Sequence, residues 1–270
     1  MNKAVIIGAG WLGIPLSTIL QAKGWDVTVT TTKEEKKKVF EASGLRCFIV
    51  QLKEGVWDIE SGFWNQVANA DAVFYCIPPG TKKNPNSTHA TDVESLLNLC
   101  PKESQATWIY AGSTAVYPDV PEVMDETWDT ISFPGNHVIA QAETVIQQSG
   151  LPYLITRLGG LCGPGRMLAK FFSGRQDIAQ GMYPVNLVHL DDVIGAYLFL
   201  LENNVVNIVV NIVSPDHPTK KDFYTYLCVN NLMQLPEFAA DDSEGKSIQS
   251  SKLEDMGYQF KYSTPYEFTY

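Results

Sequence analysis

Apolar runs punctuate this chain at intervals. AVIIG, DVTVT, CFIV, AVFYCI, TWIYAG, YLITRL and VNIVVNIV are rich in β-branched residues and are separated by stretches whose apolar positions recur with a helical period. Hydrophobicity that is continuous rather than alternating marks strands buried on both faces. Strands that alternate with helices build a parallel sheet covered on each side. The expected fold is therefore α/β, a Rossmann-type doubly wound parallel sheet of about seven strands. From Gly159 the pattern loosens, through GGLCGPGR, the loop Gly181–Pro184 and the tail from Ser214, which predicts a small C-terminal lobe made of discontinuous pieces. No internal repeat or low-complexity linker interrupts the chain.

The first run ends in Gly8-x-Gly10-x-x-Gly13 and leads into an amphipathic segment. Glycines at those spacings permit a tight turn, let backbone N–H groups approach a pyrophosphate, and allow the helix to lie close on the strand. Between a strand and a helix the motif predicts dinucleotide binding, with Gly8, Gly10, Trp11, Leu12 and Gly13, and Pro78 after the AVFYCI run, at the cofactor. The second run bears on which dinucleotide. An acid at its end would accept hydrogen bonds from the adenosine ribose of NAD, whereas a basic residue accommodates the 2′-phosphate of NADP. Here the strand ends Thr30-Thr31-Thr32-Lys33, and the first acid is Glu34. Thr31, Thr32 and Lys33 are read as phosphate-selecting residues and the cofactor as NADP, with NAD the alternative. Lys33–Lys38 also suits a plain solvated helix start. Residues 1–158 are thus expected to form an NAD(P)-binding domain, and 159–270 mostly a substrate-covering lobe, with 185–213 returning to the sheet.

At 270 residues, 45% of them hydrophobic, the chain can bury one large α/β core with a smaller lobe. Its 20 basic against 30 acidic residues leave a net charge of −10, and no basic block exceeds Lys36-Lys37-Lys38. That balance argues against nucleic acid or an anionic membrane and for a small-molecule partner. The five cysteines are scattered without a C-x-x-C pair, so no metal site, redox motif or disulfide framework is expected, and a reducing cytoplasm fits. The apolar stretch Ala4–Leu20 behind Lys3 imitates a signal peptide, but its glycines and the lack of a small-x-small site favour a buried strand and helix. Val193–Leu201 is too short to cross a bilayer.

Three further stretches carry a family resemblance. Ala111-Gly112-Ser113-Thr114-Ala115-Val116-Tyr117 resembles the S-S-x-x-V-Y segment of extended short-chain dehydrogenases/reductases. Arg157-Leu158-Gly159-Gly160-Leu161-Cys162-Gly163-Pro164-Gly165-Arg166 resembles their R-x-x-x-x-Y-G-P-G-R turn, and Pro184–Val193 their N-x-I-H-V-D-D-V segment. With the glycine turn, these motifs are similar to the NAD(P)-dependent epimerase/dehydratase group, in its atypical bacterial nucleoside-diphosphate-sugar epimerase-like branch. The resemblance implies a homodimer and places Ser113 at a strand end where its hydroxyl can bond a substrate oxygen.

The resemblance also implies a tyrosine that exchanges the proton, assisted by a lysine four residues later. No Y-x-x-x-K occurs in this chain. Aligning Ala142-Glu143 with the A-E after the family's lysine puts Gly135 and Ile139 at the two positions, four apart near a helix start and so on one face. Candidate substitutes are His137, which equally reads as a surface residue, and the loop tyrosines Tyr117 and Tyr183. The proposed catalytic set is Ser113, His137 and Tyr183, and Ser113 is expected to touch the cofactor as well. Asn186 and His189 flank an apolar pair; a structural tie is favoured for His189, and Asp191 or Asp192 is expected to cap a helix starting near Val193. Arg157 is expected to pair with an acid or to bind an anionic part of the substrate. The function expected is that of an NAD(P)-binding epimerase- or reductase-like protein for a small polar or nucleotide-sugar-like substrate. The alternative is a non-catalytic NADP-binding redox sensor.

Overall fold

The computed structural model describes residues 1–81, 84, 87–241 and 243–270. The first half runs β1 (Lys3–Ile7), α1 (Gly13–Ala22), β2 (Asp26–Thr31), α2 (Glu34–Ala42), β3 (Arg46–Lys53), β4 (Val56–Ile59), α3 (Phe63–Ala68), β5 (Ala72–Tyr75), α4 (His89–Asn98) and β6 (Thr107–Ser113). The second half runs β7 (Val123–Met124), α5 (His137–Gln148), β8 (Tyr153–Leu158), β9 (Gly160–Cys162), β10 (Leu187–His189), α6 (Leu190–Glu202), β11 (Ile208–Ile212), α7 (Lys220–Asn230), β12 (Ser247–Ile248) and α8 (Ser251–Asp255). No helix among the described residues is long and apolar enough to cross a membrane.

An 8-stranded sheet has the order β11-β8-β6-β5-β1-β2-β3-β4. β1 pairs in parallel with both β2 and β5, so the winding reverses beside β1, as in the doubly wound Rossmann arrangement. The strand beyond the expected seven is β4, which pairs antiparallel with β3. Its turn consists of Glu54 and Gly55, with φ of 51° and 80°, the left-handed pair that a two-residue hairpin requires. Short and only half-buried, β4 lacks the continuous apolar signature of the inner strands.

The chain divides into two compact units. The first comprises Met1–Gly112, His137–Thr156 and Val205–Val209. Its core gathers alternate residues of the strands, Val5 and Ile7, Val73 and Tyr75, Trp108 and Tyr110, beneath Val93, Leu96, Ala142 and Ile146 of the packed helices α4 and α5. One polar pair lies within it: His89 Nε2 is 2.8 Å from the Tyr110 hydroxyl, and burial pushes the His89 pKa down to about 4.

The second unit comprises Ser113–Asn136, Arg157–Asn204 and Val210–Tyr270. Leu187, Phe223, Tyr224, Leu227 and Phe268 form its core. Two short parallel pairs, β10 with β9 and β12 with β7, organise the loops. The cap of α6 differs from the expected one. The helix starts at Leu190, and the Nδ1 of buried His189 accepts from Asp191 N at 3.1 Å, while Nε2 lies 3.0 Å from the Thr269 carbonyl. Accepting at Nδ1 leaves Nε2 as the donor, so His189 is the structural tie that its position suggested. Asp192 is freed for another task. Its carboxylate accepts from Lys261 N at 2.6 Å, Tyr262 N at 3.2 Å and the Tyr258 hydroxyl at 3.2 Å, pinning the C-terminal segment to α6.

Asp192→Ala leaves the Lys261 and Tyr262 amides without their acceptor, while the Tyr258 hydroxyl keeps the main-chain carbonyl of residue 192 at 2.9 Å. We expect it to lower stability by about 2–4 kcal/mol in denaturant unfolding. A change under about 0.5 kcal/mol, the range of ordinary surface substitutions, would show that the segment is held by other means.

Candidate functional site

The three glycines of the first turn are required for three different reasons. Gly8 adopts φ 96°, and a Cβ there would come 3.0 Å from Ile77 Cγ1 and 3.3 Å from the Cys76 carbonyl carbon. Gly13 is buried where α1 meets the turn, and a Cβ would stand 2.6 Å from the Gly8 carbonyl oxygen. Gly10 is different: it is exposed, and a Cβ would meet nothing within 4 Å. The fold therefore requires glycine at 8 and 13, whereas the open space at Gly10 suits the close approach of a ligand.

The turn is held in register by β2. Gly8 N donates to Thr30 Oγ1 at 3.0 Å and Ala9 N to the Thr30 carbonyl at 3.0 Å. Gly10 N bonds back to the Gly8 carbonyl at 2.8 Å, and Gly10 in turn accepts from Ile14 N at 3.0 Å, so the helical ladder starts at Gly10. The amides of Leu12 and Gly13 lie in the first turn, where no intrahelical acceptor exists, at the positive end of the helix dipole. Because Thr30 touches Gly8, the following residues Thr31, Thr32 and Lys33 stand beside the turn. Thr31 is buried and accepts from Lys33 N at 3.4 Å, Thr32 is exposed, and Lys33 is the exposed residue before α2. Lys37, by contrast, is engaged by Glu60, which raises its pKa through a 2.5 Å hydrogen bond. From the other side β5 brings Cys76 and Ile77 against Gly8, with Pro78 exposed after them. The first unit thus brings Gly8, Gly10, Trp11, Leu12, Gly13, Thr31, Thr32, Lys33 and Pro78 to the strand ends where the winding reverses, the place at which such sheets bind ligands.

The proton-transfer candidates are less concentrated. His137 is the exposed first residue of α5 in the first unit. Ser113 and Tyr183 belong to the second unit. Ser113 Oγ accepts from Ala115 N at 3.2 Å, a turn role that still leaves its hydroxyl proton to donate. Tyr183 is half-buried, its ring occupying the space that a Cβ at Gly245 would need. Tyr117 is committed to the framework: its hydroxyl donates to Asn211 Oδ1 at 2.8 Å and accepts from Arg157 Nη1 at 2.9 Å, and burial pushes its pKa up to about 12. Arg157 also donates to Thr130 Oγ1 at 3.1 Å and stacks over the Tyr117 ring, so a tyrosine and a threonine are among its partners.

The two positions aligned with the family's tyrosine and lysine do not form a helical pair. Gly135 precedes α5, its N–H donates to the Val116 carbonyl, and a Cβ at this residue would collide with the Tyr117 carbonyl. Ile139 is 1% exposed in α5. A tyrosine at position 135 has no room, which the sequence could not reveal because the obstacle is backbone from another segment.

A doubly wound sheet with a glycine turn at its switch point defines a dinucleotide-binding fold of the short-chain dehydrogenase type. The chain belongs to the NAD dependent epimerase/dehydratase family, whose model matches residues 4–212. It is 30% identical over 271 residues to Protein YeeZ of Escherichia coli (strain K12), with 98% of each covered. In fold it is similar to UDP-glucuronic acid 4-epimerase from Bacillus cereus, solved in complex with NAD, at TM-score 0.75 and 17% identity over 98% of this chain and 94% of that one. It is likewise similar to the human epimerase family protein SDR39U1, solved with NADPH, at TM-score 0.69 and 17% identity over 97% and 96% of the two chains.

The distinct roles of the glycines predict distinct stabilities. Gly10→Ala should unfold with the parent, whereas Gly13→Ala should lose about 1–3 kcal/mol because α1 must move off the turn. Thermal melting of both variants checks this, and equal melting temperatures would contradict it.

Proposed function

We propose that this chain binds NADP(H) at the glycine turn and acts as an epimerase- or reductase-like enzyme on a small polar, nucleotide-sugar-like substrate, using proton-transfer groups other than a Tyr-x-x-x-Lys pair. The observation that carries the reading is the exposed, sterically open Gly10 beside Thr31, Thr32 and Lys33. The first-turn amides of α1 suit the pyrophosphate, and two hydroxyls with an ammonium suit a 2′-phosphate where an acid would repel it. The nicotinamide, when bound, supplies a hydride donor or acceptor. This chain's own part is to orient the nucleotide and to supply a proton at the substrate oxygen, for which Ser113, Tyr183 and His137 carry the appropriate groups.

A second reading, a non-catalytic NADP-binding sensor, draws on one specific observation: no Y-x-x-x-K exists in the sequence, and Gly135 lacks room for a side chain. Turnover separates the two readings: a reductase oxidises NADPH in the presence of simple carbonyl compounds and an epimerase interconverts nucleotide sugars with no net change in the nicotinamide, whereas a sensor does neither.

Calorimetric titration with NADPH and NADH tests the cofactor assignment. We expect NADPH to bind several-fold more tightly, Lys33→Ala to narrow the gap, and Gly10→Val to abolish binding in a folded protein. Equal affinities, or a preference for NADH, would refute the assignment to NADP; binding retained in Gly10→Val would place the nucleotide elsewhere.

A further inference from the structure

The second unit holds a lysine that the reading above does not use. Lys246 is half-buried, and its Nζ donates to the Tyr117 carbonyl at 2.8 Å, its one hydrogen bond from the ammonium among the described residues. That carbonyl is the same one that blocks a side chain at Gly135. An ammonium has three donors, so two remain. Removal from water pushes the Lys246 pKa down, with Asp119 acting in the opposite sense, and no carboxylate lies within ion-pair distance among the described residues.

The framework around this lysine is rigid. Asn186 Nδ2 donates to the Lys246 carbonyl at 2.9 Å, and Asn186 Oδ1 accepts from Ile248 N at 2.9 Å, clamping the backbone on both sides of Ser247. β12 then pairs with β7, and Tyr117 is fixed through Arg157 and Asn211. The residue before the lysine, Gly245, carries the Tyr183 ring on its α-carbon. A partly desolvated ammonium that is held in place by this framework, yet keeps two donors that no described protein group takes, is poised to receive an anion.

We propose that Lys246, with Tyr183 beside it, forms a binding site for an anionic oxygen group, phosphate or carboxylate, of the substrate. This deepens the proposed function by naming the charge of the substrate, and so rests on that reading. Two ammonium N–H groups take the anion as charge-assisted donors, while the tyrosine adds a hydroxyl on an apolar ring.

Acylation footprinting on the intact parent protein tests the site without requiring turnover or nucleotide. The protein is treated with an amine-acylating reagent in chloride, in acetate and in inorganic phosphate at equal ionic strength, and modification of each lysine is read by mass spectrometry. We expect phosphate to slow acylation of Lys246 several-fold relative to chloride while leaving the exposed Lys53 and Lys102 unchanged in the same sample. Protection by acetate as well assigns a carboxylate site; protection by phosphate alone assigns a phosphate site. Equal labelling in all three salts would overturn the proposal. So would a Lys246 that does not react at all, since a lysine closed to the reagent is closed to the anion. Failure here with intact NADPH binding in calorimetry refutes the anion site alone; loss of NADPH binding refutes the cofactor reading and leaves the footprint result standing.

Discussion

The first unit is built around one close approach, that of α1 to the turn that precedes it. A methyl group at Gly13 would come 2.6 Å from the Gly8 carbonyl oxygen, closer than any carbon can lie. With no side chain there, the helix seats directly over the end of β1, and its first-turn amides face the strand ends at the point where the sheet winding reverses. Thr30 locks the arrangement by holding Gly8 through its hydroxyl and Ala9 through its carbonyl. That bond also fixes where the end of β2 lies, and therefore where Thr31, Thr32 and Lys33 stand. Nucleotide chemistry and packing meet in this turn, but on different glycines: the fold depends on 8 and 13, and the proposed ligand on 10.

The second unit follows a different logic. Its segments are short and irregular, and buried polar side chains accept or donate bonds that regular elements would otherwise supply. Asp192 collects two backbone amides and a phenol, His189 joins the start of α6 to the C-terminal segment, and Arg157 joins Tyr117 to Thr130. Unpaired polar groups in such an interior cost more than the net gain from any one bond, so the residues that serve them are chosen for satisfaction rather than for catalysis. The same accounting makes Lys246 conspicuous, because its donors outnumber its partners.

The inner strands and the glycine turn were legible in the sequence because each answers to a local rule. Short continuous runs rich in β-branched residues and bounded by turn signals read as buried strands, and glycines at 8, 10 and 13 between a strand and a helix have few other uses. The resemblance carried by Ser113, by Arg157–Arg166 and by Pro184–Val193 led to the correct family. What was not legible depends on partners distant in the chain. The cap of α6 fell to His189 rather than to an aspartate because the helix starts at Leu190, which puts both aspartates inside its first turn, and nothing near Asp192 in the sequence announces that residues around Lys261 take its carboxylate. Gly135 looked like the start of a helical face, but Tyr117 occupies the volume beside it. β4 escaped notice because an exposed edge strand of four residues carries almost no hydrophobic signal, although Glu54-Gly55 marks its turn.

In the proposed function a phosphorylated dinucleotide lies against α1 with its distinguishing phosphate at the end of β2. A crystal structure of the NADPH complex tests it most directly. Pyrophosphate oxygens are expected within hydrogen-bond reach of the first-turn amides of α1, over Gly10, and the 2′-phosphate on Thr31, Thr32 and Lys33. Density for the adenosine phosphate away from Lys33, or a nucleotide that leaves the space at Gly10 empty, would contradict it.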